Sequence, residues 1–111
     1  RRPGPAADDA AEQLARRWGL ADKLTAMPAE LSHAQRRLLD LALAFAGPAR
    51  LVLLDEPSAG LSRRDAAELF ERLDEQTRTS TVLIVEHDHR LASAFAQIAY
   101  VLRDGRVQAD A

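Results

Sequence analysis

The chain has 111 residues, room for one small domain and not two, and its 47% apolar content is enough to close a modest core. Charged residues make up 29% of it but nearly cancel, leaving a formal net charge of -2, so neither a polybasic nucleic-acid surface nor an acidic tail is indicated. The absence of cysteine removes disulfide staples, thiolate metal sites and a Cys nucleophile, which fits a reducing cytoplasm, and no apolar stretch approaches the roughly 20 residues of a membrane span.

Residues 1–7 are rich in Pro, Gly and Ala and are expected to form a flexible lead-in, or the stump of a loop cut from a longer chain. Residues 8–18 have helical spacing, with Leu14, Trp18 and several alanines available for one face and Gly19 placed to stop the helix. Residues 21–27 suit a short helix or turn before Pro28. A second long helix is expected from Ser32 to about Ala46. Leu38, Leu39, Ala42, Leu43 and Phe45 give it a broad apolar surface, and Gly47-Pro48 ends it. The pattern then changes. Leu51-Val52-Leu53-Leu54 is apolar without alternation, as in a strand covered on both faces of a parallel sheet.

Residues 62–75 return to helical periodicity through Ala66, Leu69, Phe70 and Leu73, and Thr81-Val82-Leu83-Ile84-Val85 reads as a second buried strand. Strand, helix, strand predicts a right-handed parallel crossover. A short helix at 89–95, a strand at 99–103 and an Asp104-Gly105 turn into residues 106–108 complete the chain. The expected class is α/β: a helical front half, residues 8–47, followed over residues 48–111 by an incomplete sheet with parallel strands.

Ligands of open parallel sheets bind beyond the carboxyl ends of the strands, and Asp55, Glu56 and His87 stand at the ends of the two strands just described. If the ligand is a nucleoside triphosphate, Asp55 can hold Mg²⁺ through its water shell and Glu56 can orient or deprotonate the attacking water. His87 can then donate a hydrogen bond to the γ-phosphate. Such a set suits phosphoryl transfer, which needs positioning and charge neutralisation more than a covalent nucleophile. Taken singly, each residue has a plainer reading: carboxylates after a strand form turns, and a lone His is an ordinary surface or core residue. The same holds for Ser32, which can cap the second helix and leave its N-terminal N–H groups facing an anion. Ser32-His33-Ala34-Gln35 is also an S-x-x-Q capping box, useful to a helix in any protein, and Ser62-Arg63-Arg64-Asp65 fits a box in the same way. Arg36 and Arg37 read as a solvated helix face.

Residues 51–57, LVLLDEP, resemble the Walker B motif of ABC ATPases, and residues 31–35, LSHAQ, resemble their LSGGQ signature. Residues 58–62, SAGLS, resemble the D-loop, and residues 85–88, VEHD, the switch-histidine region. Order and spacing agree over about residues 14–108, so the chain is similar to the C-terminal segment of an ABC-transporter ATP-binding subunit. The resemblance implies an incomplete P-loop NTPase core preceded by a helical-subdomain segment that carries the signature. It also implies roles. Glu56 and His87 would be catalytic, Asp55 would serve Mg²⁺ through water, and Ser32, Ala34 and Gln35 would meet the γ-phosphate of ATP bound to the opposite subunit. Gly60, Leu61 and Ser62 would communicate across the nucleotide-sandwich dimer. The partners implied are a second ATPase subunit, transmembrane permease subunits and a solute-binding protein, with no nucleic acid, at the cytoplasmic face of the membrane. LSH, DEPSAGL and VEHD, with the strand near residues 98–102, look most like branched-chain amino-acid importer ATPases.

Departures from the family pattern carry their own expectations. Ala34 stands where the family usually has Gly, and a methyl group at a close approach to phosphate implies weaker ATP sandwiching. His33 replaces the first signature glycine, and Ser62 stands where Asp is common. No G-x-x-x-x-G-K-S/T phosphate loop occurs in the sequence. A parent protein of this kind uses ATP and Mg²⁺, whereas this chain alone is expected to bind neither tightly and to hydrolyse ATP negligibly. A start without Met is expected of a piece of a longer subunit. The alternatives are a natural split cassette that completes a partner's site and a noncatalytic interaction module that keeps the fold.

Overall fold

The computed structural model describes residues 4–108. Helix α1 spans Pro5–Arg17 behind Gly4 as N-cap. Proline's fixed φ and missing N–H suit a first helical position, so the helix starts inside the stretch expected to be a flexible lead-in; residues 1–3 of that stretch lie outside the described residues. Two single 3₁₀ turns, Ala21–Lys23 and Pro28–Glu30, lead to helix α2, His33–Phe45. Its buried residues Leu38, Leu41 and Ala42, with Phe45 packed beside them, recur at the i, i+3, i+4, i+7 spacing of one helix face. Leu43, expected in the apolar surface, falls past the edge of that stripe and is 63% exposed.

Strands β1, Leu51–Asp55, and β2, Thr81–Val85, pair in parallel, with Leu53 opposite Leu83 and Asp55 opposite Val85. Between them runs helix α3, Arg63–Gln76, which buries Ala66, Leu69, Phe70 and Leu73. The expectation that both strands are covered on both faces is corrected here. Side chains alternate across a strand, and only the face of Val52, Leu54, Val82 and Ile84 turns toward the helices. Leu51, Leu53, Leu83 and Val85 are each more than half exposed on the other face. Their composition is that of two-sided burial, but the described residues supply helices for one side only.

Helix α4, His89–Phe95, sets Phe95 against Phe70 at 5.6 Å between ring centroids. Strands β3, Val101–Arg103, and β4, Arg106–Gln108, form a separate antiparallel hairpin through Asp104 and Gly105, both at positive φ as a two-residue turn of this kind requires. The strand expected from residue 99 therefore begins at Val101. Among the described residues no helix is long and apolar enough to cross a membrane.

One core joins the expected halves. Trp18 is fully buried and stacks on Phe45 of α2 at 5.5 Å, in the same cluster as Leu38, Leu41, Leu69 and Phe70. Arg72 of α3 reinforces the join by donating from Nη1 to the Arg17 carbonyl at 2.9 Å, which satisfies an otherwise orphan group at the α1 C-terminus. That approach needs glycine at position 19: its φ is +72°, and a Cβ there would stand 2.7 Å from Arg72 Nη2. Gly19→Ala is expected to destabilise the chain by about 2 kcal/mol, the sum of a left-handed penalty and a displaced hydrogen bond. Urea unfolding measures it; Arg72→Ala in the Gly19→Ala background should then add little.

Candidate functional site

The site begins where the two parallel strands end. Because Asp55 pairs with Val85, the Glu56 N–H lies opposite the Val85 carbonyl and donates to it at 2.7 Å, carrying the ladder one residue past β1. Glu56 then turns at φ +48°, a left-handed conformation that costs a non-glycine residue about 1–2 kcal/mol. The turn brings its carboxylate Oε1 to His87 Nε2 at 2.5 Å, so the two residues singled out as catalytic do meet. Both are solvent-accessible, the Glu56 side chain 38% exposed and that of His87 88%.

Asp55 is exposed and shares the strand parity of Leu53, which places it on the uncovered face of the sheet. It also borders a cleft of about 160 Å³ with Arg37 and Asp40. Among the described residues no three His, Cys, Asp or Glu converge on a possible metal position. One carboxylate nevertheless fits Mg²⁺, which keeps several waters and shares its remaining positions with substrate phosphates instead of using an all-protein cage.

The loop after β1 is tied down at three points. Ser58 donates from both its backbone N and its Oγ to Glu86 Oε1, at 2.9 and 2.8 Å. The Ala59 carbonyl accepts from His33 Nε2 at 3.3 Å and from Arg37 Nη2 at 3.5 Å. Gly60 sits at φ +77°, and a Cβ on it would stand 2.9 Å from His33 Nε2. Leu61 packs against the core, and Ser62 Oγ caps α3 by accepting from the Asp65 N–H at 3.1 Å. The full capping box expected there is not formed: the Asp65 side chain is one methylene shorter than the Glu or Gln that makes the reciprocal bond.

The box at α2 is complete. Gln35 N donates to Ser32 Oγ at 3.1 Å and Ser32 N to Gln35 Oε1 at 2.9 Å, so both side-chain oxygens are occupied within the helix cap. Among the described residues no hydrogen bond joins Ser32 or Gln35 to Glu56 or His87; α2 is linked to the loop after β1 through His33 and Arg37 on the Ala59 carbonyl. Ala34 lies beside the cap in the first turn of α2.

Sequence reasoning missed two residues of this arrangement. Arg37, read as part of a solvated face, is one helical turn beyond His33 and therefore reaches the same carbonyl. Glu86 shares the inward parity of Val82 and Ile84, and a carboxylate at such a position calls for a donor, a signal that was available in the strand pattern.

A family model described as ABC transporter matches residues 3–59, just over half of the chain. The macrolide export ATP-binding/permease protein of Rhodopseudomonas palustris is 40% identical over 109 residues, which cover 97% of this chain and 16% of that protein. The aliphatic sulfonates import ATP-binding protein of Albidiferax ferrireducens is 38% identical over 94 residues, 83% of this chain and 34% of that one. The chain thus spans about a third or less of the length of either relative. An ATP-binding cassette of an ABC transporter, solved in its ADP conformation, superposes with a TM-score of 0.85 at 23% identity, over 98% of this chain and 43% of the other.

The packing of His33 on Gly60 gives a direct test. Gly60→Ala should cost stability twice over, through its positive φ and through the imidazole it displaces. In the His33→Ala background the same change should cost less, leaving the conformational part of about 1–2 kcal/mol. Chemical unfolding of the four proteins in the cycle measures both parts.

Proposed function

Because this chain belongs to the ABC transporter family, we propose that it contributes the signature helix and the catalytic carboxylate to a subunit that hydrolyses ATP and so drives a membrane permease. The observation that carries this reading is the Glu56–His87 pair, set by the register of two parallel strands at the edge where such sheets take their ligands. The phosphate loop that the sequence lacks would be supplied against the open face of Leu53 and Leu83, the face that also carries Asp55.

Bound through water to Asp55, Mg²⁺ would supply charge neutralisation at the phosphates. The Glu56 carboxylate would accept the proton of the attacking water. The short contact needs one hydrogen between His87 Nε2 and the Glu56 carboxylate, and a hydrogen carried there by Nε2 cannot serve the γ-phosphate in line at the same time. Turning to the phosphate would therefore also free the lone pair that Glu56 needs. Ser32, Ala34 and Gln35 would present the α2 N-terminus to ATP held by a second subunit, with Gly60, Leu61 and Ser62 at the contact between subunits. Since the capping box uses the side-chain oxygens of Ser32 and Gln35 only as acceptors, the donors left for phosphate are the Ser32 O–H, the Gln35 amide N–H groups and the free N–H groups of the first turn.

The permease would hold the subunit at the cytoplasmic face of the membrane. Cargo is set by the permease and not by this chain. The wording of LSHAQ, DEPSAGL and VEHD favours an amino acid taken from a solute-binding protein. Relatives named for macrolide export and sulfonate import use the same cassette for quite different solutes.

In the assembled transporter Glu56→Gln is expected to lower ATP hydrolysis by about 10²- to 10⁴-fold while nucleotide binding persists. Hydrolysis within a few-fold of the parent would remove Glu56 from the mechanism. Ala34→Gly is expected to tighten ATP-dependent dimerisation, because glycine allows the closest backbone approach to phosphate. Analytical ultracentrifugation of the ATPase subunits with ATP, in the Glu56→Gln background, reads that change.

A further inference from the structure

Glu86 stands at this end of the sheet and has no part in the scheme above, and unlike Asp88, which caps α4, it bonds across to the other loop. It is half-buried, it follows β2 directly, and its Oε1 accepts two hydrogen bonds from a single residue of the other loop, Ser58 N at 2.9 Å and Ser58 Oγ at 2.8 Å. Both bonds terminate on an anionic oxygen, which makes them stronger than neutral ones. They lie two residues beyond Glu56 on one strand's exit and one residue before His87 on the other's. The bond from Glu56 N to the Val85 carbonyl fixes the near end of the same junction. The short Glu56–His87 contact is therefore framed by backbone pairing on one side and by Ser58–Glu86 on the other.

We propose that Glu86 is a positioning residue that locks the loop after β1 to the loop after β2, so that Glu56 and His87 are held as one unit. The inference rests on the proposed ATPase reading and adds a residue to it. Glu56 occupies a left-handed conformation that a non-glycine residue leaves readily unless its surroundings hold it. His87 is almost fully exposed, with no burial to fix its ring. Neither residue can hold the other in place unless the two loops that carry them are joined, and Ser58–Glu86 is the side-chain bond among the described residues that joins them besides the pair itself. Loss of the clamp should leave the strands and core intact and widen the distribution of Glu56–His87 distances. The expected cost falls on turnover and not on affinity for ATP.

The test uses the complete ATPase with its partner subunit and permease. Glu86→Ala is expected to lower kcat about tenfold with the KM for ATP within about twofold of the parent, as for the loss of a charge-assisted hydrogen bond that acts in the transition state. Glu86→Gln keeps an acceptor oxygen for both Ser58 donors and should restore at least half of the parent kcat. Ser58→Ala removes the hydroxyl but leaves the backbone donor, so it should fall between the parent and Glu86→Ala. Combined with Glu86→Ala it should add nothing. A parental kcat in Glu86→Ala, a Glu86→Gln enzyme as slow as Glu86→Ala, or additive effects in the double variant would each overturn the proposal. If Glu86→Ala does not assemble, Ser58→Ala decides alone: a parental kcat overturns the clamp and a reduced one supports it. Glu56→Gln, run in parallel, separates the two levels. A complete parent assembly that hydrolyses no ATP rejects the ATPase reading itself, and hydrolysis that survives Glu56→Gln removes Glu56 and with it the pair that the clamp would hold, whereas an inactive Glu56→Gln beside a fully active Glu86→Ala rejects only the clamp.

Discussion

The parallel pairing of β1 with β2 is the constraint on which the rest of the site depends. With Asp55 opposite Val85, the next N–H on one strand meets the last carbonyl on the other, and the two loops leave the sheet side by side. A slip of one residue would send Asp55 to the helix-covered face and its apolar neighbours to the opposite one. The register is held because Val52, Leu54, Val82 and Ile84 must all face the helices together. Hydrophobic burial on one face thus sets the relative positions of two polar side chains beyond the strand ends.

The helices make that face rigid. Trp18, buried completely, belongs to the stretch after α1, yet it stacks on Phe45 of α2 and shares a cluster with Leu69 and Phe70 of α3. Among the described residues its Nε1 has no hydrogen-bond partner, a cost of roughly 1–3 kcal/mol. Complete burial of an indole with an aromatic stack offsets a penalty of that size. As a result, the N-terminus of α2 has a fixed place relative to the strands. His33 and Arg37 can therefore reach the loop after β1 without any flexible connection between them.

The legible part of the sequence was the part governed by local periodicity and by side-chain chemistry at chain breaks. Ala66, Leu69, Phe70 and Leu73 repeat at helical spacing and are buried as that spacing requires, and the Ser32–Gln35 box closes as written. Glu56 and His87 were legible because each stands just past a run of strand residues, Glu56 directly after β1 and His87 two residues beyond β2. What local pattern does not contain is which surfaces find a cover. Leu53 and Leu83 look like interior residues and are exposed, since burial depends on layers that a strand's own sequence does not encode. Leu43 looked like part of a helix face that in fact runs through Leu38, Leu41, Ala42 and Phe45 and leaves it outside. Contacts across long sequence separations were equally hidden. Glu86 bonds a residue 28 positions away, and His33 one 26 positions away; nothing in either neighbourhood names its partner.

These long-range bonds make a continuous set. The capped start of α2 holds His33, His33 holds the Ala59 carbonyl, Ser58 holds Glu86, and His87 follows Glu86 and meets Glu56. Contiguity alone does not couple two ends of a structure; coupling needs an element with two alternative states. His87 meets that requirement in chemical terms. A hydrogen carried by its Nε2 has one acceptor now, the Glu56 carboxylate, and in the proposed assembly would have a second, the γ-phosphate, with no geometry that serves both. The choice between them depends on where the loop carrying His87 lies, and Ser58 fixes that loop through Glu86. A displacement of the segment around Ala59 and Gly60, where a second subunit would press, therefore alters the balance between two hydrogen bonds without requiring any change in the core beneath.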